Sequence, residues 1–377
     1  MKRKLAMIVV ALCLAAAVWG AWDFYQPYRG FTDRVMLEIP PGTSAPAIAD
    51  LLLSRGVLAH RWPFLVRYWI GRTRRRLKAG EYLFDRPLRP IDVYRKLIAG
   101  DVYLYSVVIP EGSDRFDIAR IFADRMAIQP DTFLRRTEQT SLIRDLDPDA
   151  PTLEGYLFPD TYRFPRHVTA DTVIATMVAR FRHVMRTRFH DEMSPGAENL
   201  HSAVTLASLV EKETPDPAER PVVAGVFTRR LEKGMFLQCD PTVIYAARLA
   251  DHPIGIIRES DLTFDSPFNT YRHGGLPPGP IANPGESSLR AAFHPADGDE
   301  LYFVSNNHGG HVFSRALAEH QRNVARYKHE VAAAGRKSSA QAATSATTAT
   351  PKRRAQSPKV RGSSKGVPKN QQKADPS

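Results

Sequence analysis

The chain has 377 residues, 43% of them hydrophobic and 24% charged, enough to build packed cores in two or three domains. Of its net charge of +12, +9 lies from Arg336 onward, where ten Lys/Arg face one Asp, leaving +3 on the first 335 residues. That distribution argues against a folded basic nucleic-acid face, and the two isolated cysteines, Cys13 and Cys239, argue against a disulfide framework or a Cys-x-x-Cys metal site.

Lys2-Arg3-Lys4 precedes an uncharged run from Leu5 to Trp22. At 18 residues the run reaches the lower limit for spanning a bilayer. The positive flank predicts a cytoplasmic tip (1–4), a transmembrane anchor (5–22) and an exported remainder at the inner membrane. A cleaved signal peptide is the alternative, but it would have a shorter apolar run ending in small residues, whereas Trp19 and Trp22 suit a membrane interface.

Residues 35–110 read as a small α+β module. Val35–Ile39 alternates as a strand, Ala47–Leu53 and Trp62–Ile70 have helical spacing, and Gly80–Phe84 reads as a strand. A helix over Ile91–Ile98 closes at Gly100, and a strand over Tyr105–Ile109 follows. Strand, Pro-x-Gly-Ser/Thr turn and helix recur, at Ile39–Thr43 and at Ile109–Ser113, and the residue after each glycine is a candidate helix cap. A helix over Phe116–Met126 follows the second turn. Residues 130–200 read as mostly helical, interrupted by Leu153-Glu-Gly-Tyr-Leu-Phe-Pro-Asp-Thr-Tyr162, so that 111–200 forms a linking helical and loop region.

A catalytic domain is expected over 201–331. It holds one long helix from about Asn199, Pro/Gly-rich loops, a strand at Leu301–Val304 and a helix from Arg315 to Val331. Beyond Arg336 the composition turns to Ser, Ala, Thr, Lys and Pro, which predicts a disordered basic tail over 336–377.

The helix from His201 is apolar on several faces, as a buried helix is, and ends in Glu211-Lys-Glu213 before Thr214-Pro215. Pro215 disfavours helical geometry at Thr214, which makes Glu213 a last-turn residue behind Leu206, Leu209 and Val210. Burial and the negative end of the helix dipole both raise a carboxyl pKa, which suits a general acid. A solvated helix end, or a partner for Arg220 or Lys212, remains the structural alternative for either glutamate. Downstream, Gln238, Asp240, Thr242, Tyr245, Asn269, Thr270, Tyr271 and Asn283 are polar groups among apolar residues and stiff Pro/Gly loops. Together they suggest a groove for a sugar or N-acetyl ligand, although a buried Asn often only caps a turn.

Five stretches carry a specific resemblance: Leu206–Thr214, Leu237–Tyr245, Phe268-Asn-Thr-Tyr271, Gly275–Gly285 and Leu301–Val304. They resemble, in order, the MltG (YceG-like) endolytic murein transglycosylases, and the likeness runs through about residues 35–330. Phe268 stands where the family has Tyr, and Cys239 where Thr is common. The resemblance implies a LysM-like subdomain for the N-terminal module and a mixed α/β catalytic domain, α+β overall. It implies that Glu213 is the catalytic acid, with Glu219 in support and Gln238, Asp240, Asn269 and Tyr271 holding the glycan. The implied reaction cleaves the MurNAc-β-1,4-GlcNAc bond of peptidoglycan strands and leaves 1,6-anhydroMurNAc ends, with no cofactor and no metal. Wall glycan is then the substrate, and glycan polymerases of the wall-synthesis machinery are implied neighbours. Three rivals stand: a hydrolytic muramidase using Glu219 or Asp240 as a second acid, a non-catalytic peptidoglycan-binding scaffold, and an aminodeoxychorismate lyase. The last predicts a pyridoxal-phosphate lysine in a cytoplasmic enzyme, against the anchor.

Overall fold

The computed structural model describes residues 2–71, 76–193 and 200–347. Residues up to Asn323 form one compact unit and those from Val324 a second. The first element, α1 (Lys2–Tyr25), buries none of its residues, and it is long and apolar enough to cross a bilayer as a single-pass anchor. Its far end meets the folded part, with the Trp19 ring 6.2 Å from that of Trp62 and Asp23 2.9 Å from His60.

The elements β1 (Val35–Ile39), α2 (Ala45–Ser54), α3 (Trp62–Gly71), β2 (Gly80–Phe84) and α4 (Pro90–Ala99) follow the expected order. The antiparallel β1–β2 pair packs Leu37, Ile39, Tyr82 and Phe84 into a small core with Ile48, Phe64 and Leu97. Next comes β3 (Tyr105–Val108), which pairs not with this module but with β4 (Thr161–Phe164). Val107 and Ile109 consequently enter the larger core. Between β3 and β4 lie α5 (Arg115–Met126) and α6 (Pro130–Thr137), and after β4 comes α7 (Ala170–Arg188).

In both Pro-x-Gly-Ser/Thr turns the hydroxyl after the glycine does not cap the helix. Thr43 Oγ1 donates to the Pro40 carbonyl at 2.7 Å and Ser113 Oγ to that of Pro110 at 2.8 Å, which closes each turn. The caps are the next residues, Ser44 and Asp114, whose side-chain oxygens accept from backbone N–H groups of α2 and α5. Gly42 and Gly112, at φ of 81° and 72°, occupy the left-handed region that glycine enters without a Cβ clash.

The larger core surrounds α8 (Leu200–Glu213), in which Leu200 and every residue from Ala203 to Val210 are buried. It is flanked by α9 (Arg220–Glu232), α10 (Asp240–Leu249) and α11 (Glu286–Phe293). The chain then makes a hairpin, β5 (Tyr302–Ser305) with β6 (His311–Ser314), of which only the first strand was expected. All three sheets are two-stranded and antiparallel, so the mixture of helices and strands is α+β. The last helix, α12 (Leu317–Thr347), outruns the expected end at Val331 and takes up 336–347, assigned above to a disordered tail. Ala and Gln in that stretch are good helix formers. The remainder of that tail, 348–377, lies outside the described residues.

One buried cluster pins the start of α8. His201 Nδ1 lies 2.8 Å from Asp147 Oδ2, and its Nε2 lies 3.1 Å from the Pro278 carbonyl. Tyr156 also donates to Asp147. Both partners of the imidazole are acceptors, so the geometry favours the imidazolium, and the Asp147 bond holds the His201 pKa above its ordinary 6.5. Burial alone would raise the Asp147 carboxyl, but the bonds from His201 and Tyr156 outweigh it and hold it below 3.8. The His201 share of stability is therefore full below 6.5 and lost as pH rises through its raised value; the Asp147 share is full above 3.8 and lost as pH falls. Thermal unfolding across this range should show both limbs, with His201→Gln flattening the one above 6.5. Asp147→Ala should cost about 3 kcal/mol by urea denaturation, the scale of a broken buried pair.

Candidate active site

The two glutamates at the end of α8 have different surroundings. Glu211 is buried against Arg220, at 2.9 Å, and its second oxygen accepts from the Gly285 N–H at 2.9 Å. It is therefore the partner of Arg220 and a joint between α8, α9 and the 276–285 loop. Between them, Lys212 Nζ donates to the Gly112 carbonyl, docking the Pro110–Ser113 turn on the same helix end.

Glu213 instead lines an open cleft of about 390 Å³ with Arg230, Gln238, Asp240, Tyr271, Phe303, Ser305, His311 and His320. Burial pushes its carboxyl up to about 7, against the pull of the Cys239 thiol hydrogen bond. Nearby Asp240 pushes the same way, while His311 and Arg230 oppose it. Arg230 does little to neutralise Glu213 because it is committed elsewhere: it donates to the carbonyls of Leu301, Phe236 and Leu237, and lies 5.1 Å over the Tyr302 ring. The arrangement keeps a proton on a carboxyl near neutral pH at the edge of a polar cleft, as general acid catalysis requires.

Of the residues expected at the site, the structure brings Gln238, Asp240 and Tyr271 to Glu213. Tyr271 donates to Asp240 Oδ1 at 2.5 Å, bridging α10 and the 268–271 turn. Gln238 sits at φ 53°, a left-handed conformation costly for a residue with a Cβ, and its side chain is exposed in the cleft.

Thr242, Thr270, Asn269, Tyr245 and Asn283 do not line the cleft; they are buried and bonded internally. Thr242 and Thr270 share a hydroxyl bond of 3.0 Å, and Thr270 Oγ1 accepts from the Cys239 N–H. Together they hold the 237–240 backbone in its strained path. Asn269 Nδ2 donates to the carbonyls of Leu262 and Phe264 and closes its own loop.

Tyr245 and Asn283 both reach Glu154, a fully buried carboxyl at the start of the Leu153–Tyr162 segment. Burial and nearby Asp114 push the Glu154 pKa up to about 8, against bonds from the Arg115 N–H and Tyr245. Phe268 lies 5.3 Å from the Tyr245 ring. Glu219 is also absent from the cleft wall; it binds Thr214 and His311.

Arg230, Ser305, His311 and His320 were not expected at the site. Three of them come from the β5–β6 hairpin and α12, far along the chain, and nothing local marks them. Burial and Arg230 hold the His320 imidazole below its ordinary value, and its ring stacks on Tyr302 at 5.2 Å.

A sequence profile of the YceG-like family matches residues 37–326. The endolytic murein transglycosylase of Bacillus subtilis (strain 168) is 34% identical over 310 residues, covering 78% of this chain and 84% of that protein. The endolytic murein transglycosylase of Streptococcus pneumoniae serotype 2 (strain D39 / NCTC 7466) is 27% identical over 85% of this chain, which spans 64% of that longer protein. A crystal structure of a YceG-like protein of Listeria monocytogenes superposes with a TM-score of 0.53 at 32% identity, covering 78% of this chain and 99% of that one.

The contrast between the two glutamates is measurable as stability. Glu211→Ala, which strands a buried Arg220, should destabilise by about 3–5 kcal/mol in denaturant titration. Glu213→Gln should unfold at the wild-type midpoint or above it, because it replaces a desolvated acid with a neutral isostere.

Proposed function

The chain belongs to the YceG-like family, and on that premise we propose that it is an endolytic peptidoglycan transglycosylase with Glu213 as its acid. The observation that carries the assignment is the Glu213 carboxyl, raised to about 7 in a cleft of polar side chains. Protonated Glu213 gives its proton to the GlcNAc O4 as the bond from MurNAc C1 to that oxygen breaks. The MurNAc 6-hydroxyl attacks C1, and the Glu213 carboxylate takes the hydroxyl proton. One strand then ends in 1,6-anhydroMurNAc and the other in a free GlcNAc 4-hydroxyl, with the proton back on Glu213. The nucleophile is internal, so high effective molarity replaces an activated water and a second carboxylate. Gln238, Asp240 and Tyr271 are the residues proposed to hold the glycan.

One observation favours a hydrolytic muramidase as the second reading: Asp240 lines the same cleft as Glu213. A water-activating role for it is opposed by the hydrogen bond it already accepts from Tyr271.

Two further assignments go with the proposal. The module expected over 35–110 is read, without its β3 strand, as LysM-like, supported by its strand–helix–helix–strand order and the antiparallel β1–β2 pairing. The protein is placed in the inner membrane with its N-terminus cytoplasmic, supported by Lys2-Arg3-Lys4 ahead of the apolar helix. An enzyme so anchored meets strands as they are polymerised, which makes glycan polymerases its proposed neighbours and strand termination its proposed task.

The test is mass analysis of products from purified glycan strands. Wild type should give anhydro ends, and Glu213→Gln should cut turnover by about 10²–10⁴-fold, the share of a general acid. Turnover should fall as pH rises through about 7, because the acid form of Glu213 is lost there. Exclusively reducing ends would sink the transglycosylase reading, and full cleavage by Glu213→Gln would remove Glu213 from the chemistry.

A further inference from the structure

Glu219 has an unusual set of partners. Its Oε1 accepts the His311 backbone N–H at 2.7 Å, and its Oε2 lies 2.7 Å from His311 Nδ1. The same Oε2 accepts from Thr214 Oγ1 at 3.1 Å, from the residue directly after Glu213. One carboxylate thus ties the end of the helix carrying the acid to the strand carrying His311. Burial alone would raise the Glu219 pKa, but the His311 and Thr214 bonds outweigh it, so the group is held ionised. An ionised carboxylate only accepts, so Nδ1 presents an N–H to Glu219 and Nε2 is the ring nitrogen left for the cleft.

The hairpin is shaped around this contact. A Cβ on Gly310 would lie 2.6 Å from Glu219 Oε1, so the close approach of Glu219 requires glycine there. Asn306 Oδ1 accepts from the N–H groups of His308 and Gly310 and holds the tight turn. His311 faces Ser305 across the ladder, and both line the cleft with Glu213. The His311 ring is braced edge-on by Phe303, with ring centres 5.2 Å apart. Core packing does not call for a carboxylate–imidazole pair in this place, whereas orienting one ring nitrogen toward a ligand does.

We propose that His311, paired with Glu219, donates a hydrogen bond from Nε2–H to the oxygen of the attacking sugar hydroxyl, leaving the hydroxyl proton for Glu213, and holds it in line with the anomeric carbon. The inference rests on the transglycosylase reading and adds a residue to it: Glu213 moves the protons, His311 contacts the nucleophile, and Glu219 is a positioning residue. Holding the hydroxyl in place is also what keeps water from attacking instead. Loss of His311 therefore predicts a change of product as well as of rate.

The test uses the full-length protein in detergent with purified glycan strands, reading turnover, KM and the ratio of anhydro to reducing ends. His311→Asn keeps an amide nitrogen near the Nδ1 position for Glu219 and removes the atom at Nε2. Its turnover should fall by at least about 10-fold with KM changed by less than about 3-fold, since orientation is lost rather than binding. Reducing ends should appear among its products. Glu219→Gln, which keeps shape but frees the ring, should show the same product change in milder form, and His311→Gln, which restores a polar atom near Nε2, should recover part of the anhydro fraction. If His311→Asn does not fold by thermal unfolding, Glu219→Gln decides by the same product ratio. Wild-type turnover and product ratio in the folded variants would overturn the proposal, as would lost turnover with anhydro ends alone. Both outcomes leave wild type producing anhydro ends, so they are distinct from failure of the transglycosylase reading itself.

Discussion

A half-buried carboxyl group without a neutralising partner is costly, and the catalytic half of this protein is organised around one. Glu213 ends a helix that is buried from Ala203 to Val210, and Pro215 stops the helix there. The guanidinium in the same cleft, Arg230, is tied to three backbone carbonyls instead. The group therefore relieves the desolvation cost by keeping its proton, which is also what the proposed acid role needs.

The surroundings make that cost sustainable. Glu211, two residues earlier, takes the Arg220 charge and the Gly285 N–H, so one glutamate is structural and the next is not. The Pro/Gly loop over 276–285 is held against α8 by Ser208, which accepts from the Ile281 N–H, and by His201 at Pro278. The Pro110–Ser113 turn is bonded to Asn283 in both directions. Segments distant in sequence thus converge on one helix end and leave it little freedom, as a preorganised site needs.

Much of this was legible in the chain. The anchor, the two strand–turn–helix units, the apolar helix and its proline stop are local patterns of period and turn chemistry, and they survive folding. The choice of Glu213 over Glu211 was also legible from spacing, although the reason Glu211 is excluded, its pairing with Arg220, was only one alternative among several. The polar residues of 238–283 were harder to sort. Gln238, Asp240 and Tyr271 reach the cleft, while Thr242, Tyr245, Asn269, Thr270 and Asn283 support it from behind. Composition does not distinguish these roles, because a hydroxyl or amide that binds a ligand and one that closes a loop are the same group seen from opposite sides.

The sequence alone thus determined the apolar N-terminal helix, most element types and the helix end at Glu213, because each depends on neighbours a few residues away. Tertiary structure decided what those groups meet. It took β3 from the small module into the large core, set Glu154 behind the site, and brought the 302–311 hairpin and His320 to the cleft wall. It also turned Glu219 from a residue expected in support of the acid into the group that holds His311. Contacts across ninety residues depend on how helices and hairpins pack, and no local pattern encodes them.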